Sequence, residues 1–372
     1  MILVAGATGL VGRAVCALLP TGRRPWVEWS LQPRAPGWEE GPRQVRAGDL
    51  AAADPAALAQ EFHDLQAVIH VAGVAPGARP ARADHETAVM RTLVALAQAR
   101  RVERFVFLSA CGAAVDSGHP WLRAKGEAER LLRESGLPYV IVRADLVTAP
   151  DAPWLHALQQ VVRATRKLRL PLLRAGRVQP SAVGDVAIAL ATALDHHRVV
   201  GRSFAIGRAP PLRLDELCEL VARRFGRTLE WSRVPFVGDA LDDALAAVPS
   251  GPLADAAAFI RLFALLEPAP LDEYDRLLPM ARASVEEELR GYPWGAPPPR
   301  PGEPLPLVQP PQDTALPLFI PGEALRDSRE RAMLPPAWLG RVDGFGRGER
   351  SPDETRSDRE PDTAPGSTPG TA

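Results

Sequence analysis

Short apolar runs alternate with stretches of helical periodicity over the first 145 residues. The runs at 2–5, 26–29, 44–47, 67–71, 104–108 and 139–142 have strand length. Several are apolar throughout, the pattern of parallel strands covered on both faces. Between them, 10–19, 55–62, 84–99 and 121–134 carry helical spacing. Asp84 suits the N-cap of the third helix, and Gly136-Leu137-Pro138 stops the fourth. This alternation predicts an α/β fold, a Rossmann-type doubly wound parallel sheet.

Beyond 145 the pattern changes. Helices are expected around 154–165, 183–195 and 214–225 with a short strand at 203–206, read together as a small substrate-side lobe beginning near 146. The first domain then spans 1–235. Residues 236–292 read as a helical extension, acidic on its outer faces. Proline punctuates 293–340, which excludes helix and central strand and predicts an extended segment. Residues 341–372 are nearly devoid of apolar side chains and predict a disordered tail.

Composition changes little in that picture. Of 372 residues 46% are hydrophobic and 24% charged, with a net charge of -1, which gives no ground for expecting nucleic acid or an anionic membrane as partner. Cys16, Cys111 and Cys218 form no pair with metal-ligand or redox spacing, which fits a reducing compartment. Met1 runs directly into the first strand without a basic region or cleavage site, so no leader is expected. No apolar run approaches the ~18–20 residues of a spanning helix. A cytoplasmic location is the expectation.

The chemistry begins at Gly6-Ala7-Thr8-Gly9-Leu10-Val11-Gly12, a GxxGxxG turn between the first strand and first helix. Such a turn needs Gly6 for its sharp bend, Gly9 for close backbone approach to a pyrophosphate, and Gly12 for close packing of helix on strand. The helix N-terminus then faces the phosphates. The context predicts a dinucleotide cofactor. An acid closing the second strand would favour NAD, but Glu28 lies inside that strand and its end offers Ser30, Gln32 and Arg34. The choice leans toward NADP through Arg34; the alternative reading of Arg34 is a solvated loop charge.

Together with that turn, Gly48-Asp49-Leu50, Val68-Ile69-His70-Val71-Ala72-Gly73 and Phe105-Val106-Phe107-Leu108-Ser109 resemble the short-chain dehydrogenase/reductase superfamily, in its extended and atypical branches. The segment from Trp121 to Glu129, Ser135 to Tyr139 with Arg143, and Gln179-Pro180 leading to Gly184-Asp185-Val186-Ala187 look like the group containing the NAD(P)H-binding accessory subunit of respiratory complex I. NmrA-like regulators and sugar epimerases are more distant relatives. The resemblance covers roughly 1–235. It implies that Gly6, Thr8, Gly9, Leu10, Val11 and Gly12 cradle the pyrophosphate. Asp49 would accept from the adenine amino group beside Leu50, Ala72 and Gly73 would line the ribose, and Lys125 would hold the nicotinamide ribose. It also raises, by analogy alone, a peripheral membrane association or an assembly role.

Catalysis in that superfamily needs a tyrosine acid/base four residues before the lysine, a serine or threonine polariser and often an asparagine. Here those positions read Trp121, Ala110 or Cys111, and Ala88; Lys125 alone is retained. An indole N–H donates but does not shuttle protons. Tyr139 begins the next strand and cannot substitute. Cys111 reads as a small buried thiol, with His119 the nearest conceivable base. His70 reads as a packed core residue, His196-His197 as surface groups at a helix end, and Arg143 as either a substrate-facing group or a salt-bridge partner. No metal ligand set is seen. The expectation is a cofactor-binding protein with a degenerate Ser/Tyr site, serving as structural subunit, sensor or docking module through 236–340. The alternative is an oxidoreductase or epimerase with non-standard catalytic residues.

Overall fold

β1 (Ile2–Ala5) is buried along its whole length, and its side chains alternate between two cores. Ile2 and Val4 enter one, Leu3 and Ala5 the other. This is the consequence of a strand apolar at every position, which must be covered on both faces. The computed structural model describes residues 1–19, 25–31, 44–73, 81–164, 169–171, 177–232, 259, 262, 268–271, 284–290 and 292.

Around β1 stands a seven-stranded parallel sheet. Its members are β2 (Trp26–Ser30), β3 (Gln44–Ala47), β4 (Ala67–His70), β5 (Arg104–Ala110), β6 (Tyr139–Ala144) and β11 (Arg202–Ile206), in the order β11-β6-β5-β4-β1-β2-β3. The strand order reverses between β1 and β4, where the carboxyl ends of an open α/β sheet leave a crevice. Helices α1 (Leu10–Leu18) and α6 (Val183–Ala193) cover one face. The other is covered by α2 (Pro55–Glu61), α3 (Ala81–Arg100) and α4 (Pro120–Glu134), packed on Phe105, Phe107 and Ile141. Each fully buried phenylalanine contributes about 1.5–3 kcal/mol relative to exposure.

The ends of the helices follow local chemistry. Asp54 accepts from Ala56 N at 3.0 Å and Pro55 opens α2. Pro120 opens α4, and Gly136, at φ +74, carries the chain away from its end. Asp84, expected as an N-cap, instead lies in the first turn of α3, which starts at Ala81; an acid there complements the helix dipole rather than capping it. The strand and helix expected at 203–206 and 183–195 form, but both belong to the first domain, β11 as the edge strand beside β6 and α6 packed on one face of the sheet.

The second lobe is built from α5 (Pro153–Ala164), α7 (Leu214–Arg224) and α8 (Val285–Arg290), with the short pairs β7 (Val147–Thr148)/β10 (Ser181–Ala182), β9 (Arg177–Val178)/β12 (Leu212–Arg213) and β8 (Arg169–Pro171)/β13 (Glu230–Ser232). Trp154, Leu155 and Leu158 of α5 pack with Leu217 and Val221 of α7 and with Phe259, Leu262, Leu289 and Tyr292. So part of the region after 235 completes this core. Glu288 of α8 accepts from Thr148 Oγ1 at 2.7 Å and pairs with the buried Arg208 guanidinium, while Tyr292 donates to the same carboxylate. Most of 236–292, the proline-rich 293–340 and the tail 341–372 lie outside the described residues, as do Gln32 and Arg34. Among the described residues, no helix is long and apolar enough to cross a membrane.

Candidate functional site

The glycine turn leaves β1 at its carboxyl end. Gly6 sits at φ +92, a conformation side chains rarely adopt, and the N–H groups of Gly6 and Ala7 both donate to Trp29 O, at 2.8 and 3.1 Å. A Cβ on Gly6 would fall 2.8 Å from Val71 C and closer still to the Ala72 backbone. A Cβ on Gly12 would run into Gly6 O and come within 2.8 Å of Ala7 Cα. These two positions therefore admit only glycine because backbone abuts backbone. Gly9 is different. It is exposed, forms the N-cap of α1 with extended geometry, and offers no side-chain cap to the helix. The first N–H groups of α1 are left for an outside acceptor, the arrangement an anion fits. Thr8 and Leu10 flank it, half-buried, and Val11 turns into the core. Arg13 donates to Thr8 O at 3.2 Å and pairs with Asp151, tying the turn to the second lobe's first segment.

Along the crevice from the turn stands Asp49. Its Oδ1 accepts from Ala51 N at 2.9 Å and from His85 Nε2 at 2.8 Å, and these bonds hold the carboxyl below the usual carboxylate range. Both bonds use Oδ1. Leu50 beside it is buried against α2 and β2. Glu28, in the middle of β2, is buried within the sheet rather than presented at its end.

At the other end of the crevice, α4 brings Lys125 beneath Gly73. Its ammonium donates to Leu108 O at 3.1 Å, lies 5.0 Å from the Phe107 ring centroid and forms an ion pair with Glu86 of α3. A Cβ on Gly73 would lie 3.2 Å from Lys125 Nζ and 3.7 and 3.8 Å from the two Glu86 oxygens. Trp121, one turn earlier on α4, is half-buried against the second lobe's core, and Ala110 at the end of β5 is buried in that same cluster. Sequence spacing pointed to Ala88 as the α3 position facing this centre; the side chain that reaches Lys125 is Glu86, two residues earlier. No sequence pattern marks Glu86, because its partner is 39 residues away on another helix.

Other polar residues lie apart from the crevice or are already engaged. Arg143 Nε donates to Glu129 Oε1 at 2.8 Å, Ser109 Oγ donates to the same oxygen at 2.6 Å, and Arg133 donates to Oε2 at 2.6 Å. Arg143 is thus the salt-bridge partner of the two alternatives. Cys111 is buried, its thiol directed to Arg143 O at 3.6 Å and pushed up to about 12 by burial, first, and by the Asp145 charge. A thiol so protonated is no nucleophile. His70 is fully buried, stacked on Phe107 at 5.1 Å between centroids, and burial pushes it down to about 3. Burial also raises the Asp145 carboxyl to about 7, although it accepts from Gln179 N at 2.6 Å. His119 forms the N-cap position of α4, and His196 and His197 lie at the short 3-10 turn after α6. No group of three or more His, Cys, Asp or Glu able to hold a metal occurs among the described residues.

A family profile described as NAD(P)H-binding matches residues 6–197. A (4-alkanoyl-5-oxo-2,5-dihydrofuran-3-yl)methyl phosphate reductase from Streptomyces griseus is 30% identical over 266 residues, 69% of this chain and 84% of the relative. Among solved structures, a nucleoside-diphosphate-sugar epimerase from Staphylococcus aureus superposes with a TM-score of 0.61 at 20% identity, over 78% of this chain and 99% of that one. A UDP-glucuronic acid 4-epimerase from Bacillus cereus in complex with NAD gives 0.52 at 18% identity, over 69% and 94%. At those identities the structures speak for the shared fold.

Proposed function

The chain belongs to the NAD(P)H-binding family, and on that footing we propose that it binds a dinucleotide for reductase-type chemistry confined to acceptors that need no proton from the protein. In this reading Gly6, Thr8, Gly9, Leu10, Val11 and Gly12 hold the pyrophosphate, with the uncapped start of α1 facing its charge. Asp49 keeps Oδ2 for the adenine amino group while His85 and Ala51 occupy Oδ1. Leu50 packs beside the base, Ala72 and Gly73 leave room for the ribose, and Lys125 donates to its hydroxyls.

One observation carries the reading: Lys125 is held by its ion pair 6.0 Å from the Trp121 ring, and residue 110 is alanine, where the superfamily resemblance calls for a tyrosine and a serine. NAD(P)H, when bound, supplies a hydride. Lys125 is met by the Phe107 ring, the Trp121 indole and the Glu86 carboxylate, and none of these is a hydroxyl acid. Reduction of a simple ketone ends in an alkoxide, and a positioned acid typically contributes ~10²–10⁴-fold there. The substrate named for the Streptomyces relative contains a ring double bond with two carbonyl groups on one of its carbons. An acceptor of that class ends instead as an enolate spread over both carbonyls, which water can protonate.

A second reading, a cofactor-bound structural, sensor or partner-docking protein acting through 236–340, is favoured by the same Trp121 and Ala110. Titration with NADPH and NADH, followed by mixing with a 2-acyl butenolide or with simple ketones, separates these. Binding is expected for both cofactors, with NADPH at least as tight through Arg34, and cofactor oxidation is expected with the butenolide alone. Binding without oxidation by any acceptor leaves the second reading; absence of binding overturns both.

A further inference from the structure

Glu86 is 2% exposed, and apart from its ion pair with Lys125 neither carboxylate oxygen has a hydrogen-bond partner among the described residues. A buried carboxylate ordinarily gathers two or more donors, because each unfilled acceptor lost to water costs free energy. Both oxygens lie 3.7–3.8 Å from the point where a Cβ on Gly73 would stand. That point is open only because residue 73 is glycine, and Gly73 itself is exposed. Lys125 is a donor with two of its three protons already directed at Glu86 and Leu108 O. The spot beside Gly73 therefore lies against one remaining ammonium proton and against carboxylate oxygens, both closed to solvent in this structure, that no donor but Lys125 fills among the described residues. A group that is donor and acceptor at once satisfies both, and a sugar hydroxyl is such a group.

We infer that Glu86 is a direct ligand of the cofactor, accepting a hydrogen bond from a hydroxyl of the nicotinamide-side ribose while Lys125 donates to the same sugar. The inference rests on the dinucleotide reading above. Glu86 then does two things: it holds Lys125 in place through the ion pair, and it selects for a second ribose at this end of the crevice. A phosphate or carboxylate at the same spot would meet the Glu86 charge and be disfavoured.

The test compares NADH with ADP, which carries the adenosine and diphosphate but no second ribose. In Glu86→Gln the affinity for NADH should fall about tenfold or more, the effect of weakening one hydrogen bond to a charged acceptor. Affinity for ADP should stay unchanged, which also reports that the fold is intact. If Glu86→Gln does not fold, Glu86→Asp keeps the charge and withdraws it by one methylene, and the same split is expected. Equal loss of both ligands would show a merely structural role and overturn the inference, as would unchanged NADH affinity in either folded variant. Failure of the unmodified protein to bind NADH or ADP would instead overturn the dinucleotide reading itself.

Discussion

Lys125 and Trp121 stand one turn apart on α4, with the ammonium 6.0 Å from the indole centroid. A tyrosine at 121 would place a hydroxyl near the same cation, which would favour its ionised form and lower its pKa. Trp121 offers no titrating atom. Trp121→Tyr with Ala110→Ser should therefore give clear ketone reduction where the unmodified protein gives only a trace. The gain should approach ~10²–10⁴-fold over the parent, the span of a positioned acid, and is read by NADPH oxidation with a simple ketone. A parent already turning over ketones, with no response to Trp121, would contradict the reading of this site.

Gly9 and Gly12 should respond differently to substitution. A Cβ at Gly9 meets little beyond Gly6 O at 3.2 Å, whereas one at Gly12 collides with the backbone of Gly6 and Ala7. Gly9→Asp should fold with a nearly normal melting temperature and lose cofactor binding, since it adds negative charge at the start of α1. Gly12→Ala should lower the melting temperature itself, because helix and strand must separate to admit the methyl. Thermal melts with an NADPH titration distinguish the two, and a Gly9→Asp variant that binds normally would refute the placement of the pyrophosphate.

Two buried groups tilt stability with pH in opposite senses. Unfolded histidine titrates near 6.5 and folded His70 near 3, so below 6.5 only the unfolded chain takes up the proton. Stability from this group falls as pH drops from 6.5 toward 3. Asp145 titrates near 7 in the fold against 3.8 unfolded, so its contribution falls as pH rises from 3.8 to 7. Each slope is at most about 1.4 kcal/mol per pH unit, and between 3.8 and 6.5 they oppose one another. His70→Leu should make stability decline more steeply with rising pH in that window. Asp145→Asn should make it climb. Denaturant midpoints from pH 4 to 7, each variant measured against the parent, show whether the slopes separate.

Glu129 is fully buried and receives Ser109, Arg143 and Arg133. Its loss leaves two guanidinium groups and a hydroxyl without their acceptor. Glu129→Ala should cost about 3 kcal/mol, toward the lower end for a broken buried pair because both arginines remain partly solvated. An unfolding free energy, from urea denaturation, lowered by under a third of that would show the cluster to be electrostatically idle.

The sheet was legible because its strands are short and mostly apolar; β1, β2 and β4 to β6 announce themselves without knowledge of their neighbours. The glycine turn was legible for a similar reason, since Gly6 and Gly12 answer to contacts within the turn and with adjacent strands. What sequence spacing could not reach were pairings across elements. Glu86 meets Lys125 across two helices, and Glu129 captures Arg143 across a helix and a strand, so neither shows in a local window. The short strands of the second lobe escaped for another reason. Runs of two or three residues such as Val147–Thr148 carry no period of their own and exist only through their partners.

Thr148 and Glu288 are bonded across 140 residues of chain. On the ribosome, the sheet and its helices emerge well before the carboxylate that joins Thr148 to Arg208. Loop closure over that distance is entropically costly and slow relative to local contacts. The order of maturation is thereby set: the crevice at the carboxyl ends of the sheet can form while the second lobe still waits for Val285, Leu289 and Tyr292 to fill its core. A nascent chain stalled short of residue 285 would present Trp154, Leu217 and Val221 as an unfinished apolar surface, and chaperone crosslinks should cluster there until α8 arrives.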